Sequence, residues 1–141
     1  FPEGGLDVVE RALAIVQPRL AIVTDRQIVH GDLHVWNVHA RRREVWALDF
    51  EDIMWGSRAQ DIAISLYYIQ DRPDCPDLTA AFRRGYEQMA PWPTDDDELA
   101  IYMADRRLMF VNYVFNIDMP DRHDFVARSV AKLEAFVRSV G

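Results

Sequence analysis

His30-Gly31-Asp32-Leu33-His34-Val35-Trp36-Asn37, followed twelve residues past its Asn by Asp49-Phe50-Glu51, is the stretch on which the reading of this 141-residue chain turns. Between the two segments lie Val38-His39-Ala40 and Val45-Trp46-Ala47-Leu48, short runs of β-branched, aromatic and small apolar residues. Polar Arg41 to Glu44 separates them, which predicts a β-hairpin. Asn37 enters the hairpin and Asp49 leaves it. Pairing the strands therefore makes neighbours of two side chains that are twelve residues apart.

Outward from that hairpin the pattern is helical. Leu6, Val9, Leu13, Val16 and Leu20 recur at helical spacing, and Pro18 is expected to end or kink that helix near Gln17. Gln27-Ile28-Val29 reads as a short strand feeding the motif. Residues 59–70 and 78–90 read as helices separated by a loop at Pro73 and Pro76. Thr94 is expected to cap a long helix reaching about Ile117, with Asp95 to Asp97 in its first turn. Its stripe of Leu99, Tyr102, Met103, Leu108, Val111, Tyr113 and Phe115 is read as core. A last helix begins at Pro120-Asp121 and turns Phe125, Val126, Val130, Leu133, Phe136 and Val137 inward. The expected class is mainly α with a small β-hairpin. The expected organisation is one domain over 1–141, with a catalytic and metal segment at 28–63 and a helical subdomain at 64–141.

Composition excludes several functions. The net charge of −7 argues against nucleic acid, whose phosphates require a clustered basic face. The one basic run, Arg41-Arg42-Arg43, falls at the hairpin turn and reads as solvated. No run approaches the ~18 apolar residues of a membrane-spanning helix. The single Cys75 permits no internal disulfide, which fits a reducing, cytoplasmic setting. The opening Phe1-Pro2-Glu3-Gly4-Gly5 reads like a linker cut from something longer.

The residue types in the quoted stretch suit phosphoryl transfer from a nucleotide. Asp32 is placed to accept the proton of a substrate hydroxyl. Asn37 supplies an amide oxygen and Asp49 a carboxylate, hard ligands suited to Mg²⁺. Glu51 and Asp52, beside Asp49, are further candidate metal ligands that could equally be solvated loop residues. His34 is assigned to the transfer step as an electrostatic aid. His30 is read as structural, its ring donating to a backbone carbonyl that fixes the loop. Asp61, in Gln60-Asp61-Ile62-Ala63, stands near a helix start, where it caps the helix or accepts N–H bonds from the catalytic loop. Trp36, inside the loop, is expected to line the acceptor pocket. A zinc site built from His30, Asp32, His34 and His39, as in a metal-dependent hydrolase, is the competing reading of the same cluster.

These residues resemble a known family. His30-Gly31-Asp32-x-His34-x-x-Asn37-Val38, Leu48-Asp49-Phe50-Glu51, Trp55-Gly56 and Asp61-Ile62-Ala63 resemble the aminoglycoside phosphotransferase and choline kinase-like superfamily. Phe82-Arg83-Arg84-Gly85-Tyr86 resembles its homoserine-kinase-like and stress-response Ser/Thr-kinase-like bacterial branch. The resemblance implies the C-terminal lobe of a protein-kinase-like fold. It makes Asp32 the catalytic base, Asn37 and Asp49 the two Mg²⁺ ligands and Asp61 a brace for the catalytic loop. The donor would be ATP or GTP and the acceptor a small-molecule hydroxyl, less often a protein side chain. The family's Gly-rich phosphate loop and Lys–Glu pair are not found in this sequence. The expectation is therefore a catalytic lobe that is inactive without its N-terminal nucleotide lobe. A non-catalytic module that forms homo-oligomers through its uncovered apolar face is the alternative. Acidic residues such as Asp71, Asp74, Asp95 to Asp97 and Asp105 would suit a cationic acceptor if they lined its pocket.

Overall fold

The computed structural model describes residues 1–42 and 44–140. Arg43, part of the expected solvated turn, lies outside the described residues. The elements run α1 (Gly5–Ala21), β1 (Gln27–Val29), a 3₁₀ turn (Val35–Asn37), β2 (Val38–Arg41), β3 (Glu44–Ala47), β4 (Met54–Gly56), α2 (Arg58–Tyr67), α3 (Cys75–Tyr86), α4 (Asp96–Val114) and α5 (Arg122–Val140). They gather into two compact units rather than at a single boundary along the chain. One holds Phe1–Val23 together with the residues from Ala100 onward, and the other holds Thr24–Leu99.

The first unit is a helical core. Val8, Ala12 and Val16 form an i, i+4, i+8 stripe on α1 and are at most 6% exposed. Ala104, Leu108 and Val114 of α4 and Val126, Val130 and Leu133 of α5 belong to the same cluster. The stripe expected on α1 is rotated, since Leu6 is 55% exposed and the small Ala12 is fully buried. Close helix packing rewards a small residue at the contact, which a hydropathy pattern underweights. Pro18 does not end α1, which continues to Ala21. Its missing N–H removes one ladder bond, while Val16 and Leu20 on either side pack against the core. On α4 the cap is Asp95, whose Oδ1 accepts from Glu98 N at 2.8 Å, and not Thr94. Tyr113 and Phe115 at its end are 54% and 45% exposed and are not core.

The second unit carries the hairpin. β2 and β3 pair antiparallel with Val38 opposite Ala47 and Arg41 opposite Glu44. A second two-stranded sheet, not expected from the sequence, pairs β1 with β4 so that Gln27 faces Gly56 and Val29 faces Met54. A three-residue strand is too short to show a period of two, and its partner lies more than twenty residues away. This pairing closes the chain from 30 to 53 into a loop and brings α2 beside the start of the motif. Asp25, just before β1, accepts from Ser57 Oγ at 3.2 Å and faces Arg58 at 3.5 Å, tying the base of the loop to the start of α2. Ser57 also accepts from Ala59 N, so Ser57, not Asp61, caps α2. Pro76, expected in a loop, sits in the first turn of α3, where its lacking N–H has no helical partner to lose.

Candidate active site

The backbone from His30 to His34 is irregular, so its polar groups need partners other than a ladder. Asp61 supplies two of them. Its Oδ2 accepts from His30 N at 2.8 Å and its Oδ1 from Gly31 N at 2.9 Å. One turn further along the same face of α2, Ser65 Oγ donates to Leu33 O. Asp32 O accepts from His34 N at 2.9 Å and from Asn37 Nδ2 at 3.0 Å. The loop is thus held by one helix face and by its own side chains. Asp61→Asn replaces one charged acceptor with an N–H that faces the N–H of the loop. It should lower stability by about 1.5–3 kcal/mol and speed exchange of the His30 and Gly31 amides, read by hydrogen exchange. Unchanged protection would show that the loop keeps its shape without the carboxylate.

His30 is buried and joins the loop to the exit of the hairpin. Its Nε2 donates to Leu48 O at 2.8 Å, and its Nδ1 accepts from Asp32 N at 3.3 Å. Those partners select the neutral Nε2–H tautomer. The Phe50 ring packs on the imidazole at a centroid distance of 4.7 Å. Gly31 has φ +82°, and a Cβ there would run into the backbone carbonyl of Asp52. Asp52 thus meets the loop through its main chain.

Asp32 stands at the centre of the constellation. Its Oδ2 accepts from Asn37 Nδ2 at 3.2 Å and lies 3.2 Å from His34 Nε2. His34 Nδ1 accepts from Trp36 N, which leaves Nε2 as the proton carrier facing Asp32. Tyr68 packs against the His34 ring at 4.6 Å. His34 therefore bears on the Asp32 carboxylate directly. Ser65 and Tyr68, which hold this arrangement, were not picked out from the sequence. Ser65 stands four residues after Asp61, and that spacing is the one signal that could have found it.

The hairpin brings the backbone of Asn37 beside that of Leu48, the residue before Asp49. Leu48 N donates to Asn37 O at 2.8 Å, and Asp49 is the next residue. Asp49 has φ +60°, a left-handed conformation that Asp tolerates better than most residues and that is enriched at functional sites. The Asn37 amide nitrogen donates to Asp32, so the amide oxygen is the atom that could serve as a ligand. One amide oxygen and one carboxylate fit Mg²⁺, which is commonly held by one or two protein ligands and completed by phosphates and water. Glu51 lies exposed in the turn after Asp49. Zinc does not fit. The ring nitrogens of His30 and His34 already have polar partners, and the His39 ring lies tilted against Trp46 with centroids 5.9 Å apart. Among the described residues no group of three or more His, Cys, Asp or Glu side chains converges on a metal position.

Beside His34 lies a cavity of about 470 Å³. Leu33, Val35 and Val38 wall one side, Leu66 and Ile69 another, and Leu78 and Phe82 of α3 a third. None of the acidic residues Asp71, Asp74, Asp95 to Asp97 or Asp105 belongs to the wall. Asp74 instead accepts from Arg72 Nε and Nη2 at 2.8 Å each, and that hydrogen bond holds its carboxyl below the usual range. Burial pushes the Asp105 carboxyl up, against the opposing pull of Arg106. Trp36, expected in the pocket, is 73% exposed and packs edge-on against Tyr68. It sits in the 3₁₀ turn, whose geometry carries its ring outward.

Residues 3–102 match the model of the phosphotransferase enzyme family named APH, and the chain belongs to that family. None of the curated proteins matches it. Among solved structures it is similar to a thermostable mutant of aminoglycoside phosphotransferase APH(4)-Ia in its apo form, at 20% identity and a TM-score of 0.72, covering 100% of this chain and 46% of that one. It is similar to amicoumacin kinase hAmiN in complex with AMP-PNP, Ca²⁺ and Ami, at 21% identity and a TM-score of 0.72, covering 96% and 46%. Choline kinase LicA from Streptococcus pneumoniae is similar at 16% identity and a TM-score of 0.69, covering 98% and 49%. These likenesses are of fold, and the chain spans about half the length of each relative. The fold is a mainly helical, kinase-like C-terminal lobe, with two small antiparallel sheets where the sequence pointed to one hairpin. No helix among the described residues is long and apolar enough to cross a membrane.

Proposed function

We propose that this chain is the catalytic half of a phosphotransferase that moves the terminal phosphoryl group of ATP or GTP to a hydroxyl of a small molecule. The observation that supports this most is the Asp32 carboxylate, contacted by His34 and Asn37 on a loop that Asp61 braces. Asp32 takes the proton of the acceptor hydroxyl, which must approach to hydrogen-bond distance. His34 and Asn37 set the direction of the carboxylate, and His30 couples the loop to the segment carrying Asp49. Asn37 and Asp49, with Glu51 nearby, would hold Mg²⁺, which when bound neutralises the charge of the triphosphate. The lone Cys75 suits a cytoplasmic site of action.

Residues 1–141 offer no Gly-rich phosphate loop, so we assign the nucleotide grip to a second half of the kind the family resemblance implies. Two measurements test the reading. Calorimetric titration of this chain with Mg-ATP should give a Kd no tighter than about 1 mM, near −4 kcal/mol; a micromolar Kd would contradict the divided grip. In a length of the protein that binds nucleotide, labelled terminal phosphate should appear on an acceptor hydroxyl or, without acceptor, on water. Intact nucleotide in both cases would overturn the assignment.

A further inference from the structure

We propose that the acceptor has a largely apolar body and few polar groups besides its reactive hydroxyl, and that it binds in the cavity of about 470 Å³ beside His34. This deepens the phosphotransferase reading and rests on it. Seven of the ten residues lining the cavity are aliphatic or aromatic, among them Leu33, Val35, Leu66, Ile69, Leu78 and Phe82. The other three are already engaged. Ser65 donates its hydroxyl to Leu33 O, Arg72 turns its guanidinium onto Asp74, and His34 is held between Trp36 N and Asp32. The wall therefore offers few side-chain partners to a ligand rich in hydroxyls or amines. Each polar group such a ligand buried without a partner would weaken binding by about tenfold or more. A polycation meets no carboxylate in the wall.

The volume lies within the range of small-molecule pockets. Leu33, His34 and Val35 belong to both the cavity wall and the catalytic loop, so an occupant lies alongside the residue that contacts Asp32. In the transfer, the acceptor oxygen bonds to the terminal phosphorus of a nucleoside triphosphate. The bond from that phosphorus to the bridging oxygen breaks, the nucleoside diphosphate leaves with the electron pair, and the hydroxyl proton passes to Asp32.

Calorimetric titration of the chain with 2-naphthylethanol, 1-octanol and hygromycin B tests the proposal. Both alcohols should bind saturably and hygromycin B should not. Leu78→Trp, which fills the cavity, should weaken alcohol binding about tenfold or more, and Ile69→Trp provides the same reading should the first variant not fold. Alcohol binding that is absent, or unchanged in a folded variant, overturns the proposal, as does saturable hygromycin B binding lost in the same variants. Such a failure leaves the phosphotransferase reading standing, because nucleotide hydrolysis dependent on Asp32 needs no acceptor. Hydrolysis indifferent to Asp32→Asn would sink that reading whatever the alcohols do.

Discussion

Asp32→Asn is expected to slow phosphoryl transfer by about 10²- to 10⁴-fold, the range attributed to a positioned general base. The substitution nearly preserves shape. The amide oxygen of the new side chain can still accept from Asn37 or His34, the two groups now within 3.2 Å of Asp32 Oδ2. The backbone bonds from His30 and Gly31 to Asp61 do not involve the substituted side chain. What is lost is the capacity to take a proton. The rate should be measured at saturating nucleotide in whatever length of the protein sustains transfer, alongside amide exchange across 30–37. A large loss of rate with unchanged loop protection is the expected pair. A rate within a few-fold of the parent would remove Asp32 from the proton step and send the search to another group.

Gly31→Ala is expected to cost about 2–5 kcal/mol of stability, from the left-handed backbone and the overlap with Asp52 together. The first part arises because φ is +82°, a region that L side chains rarely adopt. The second arises because the new methyl meets main chain, which cannot swing aside as a flexible side chain would. Against a typical total of 5–15 kcal/mol that is a large fraction. Because Gly31 N is bonded to Asp61, the strain should also open the loop, so activity should fall with stability. Urea unfolding followed by tryptophan fluorescence reads the first effect and exchange of the loop amides the second. Gly85→Ala is the control. Gly85 lies within α3, nothing stands within 4 Å of its added Cβ, and helix propensity favours Ala there. A Gly31→Ala variant as stable as the control would mean that the Asp52 segment yields freely.

Much of this site could be read from the sequence because its chemistry is local. Asp32 and Asn37 are five residues apart, and a hairpin of ordinary length joins Asn37 to Asp49. The expectation that His30 would donate to a backbone carbonyl matches its bond to Leu48 O, and Asp61 accepts from loop N–H groups rather than capping α2. The helices followed from periodicity, but their faces did so less well. On α1 the buried stripe passes through Ala12, and on α4 the aromatic end faces outward. Hydropathy assigns large residues to the interior, whereas packing chooses the residue that fits the space left by its neighbours.

The sequence by itself determined which groups could perform the chemistry. It also pointed to the hairpin that sets the backbone of Asn37 beside Leu48, one residue before Asp49. Only the tertiary structure decided what holds the loop and what the pocket beside it is made of. The β1–β4 pairing, Ser65 on Leu33 O and the Asp52 carbonyl over Gly31 all join residues more than twenty positions apart. Such contacts follow from how elements pack, which no local pattern of residues encodes. The same holds for the acidic residues that would suit a cationic acceptor only if they lined its pocket. They are present in the sequence, yet Leu66, Ile69, Leu78 and Phe82, from α2, α3 and the turn between them, form the wall.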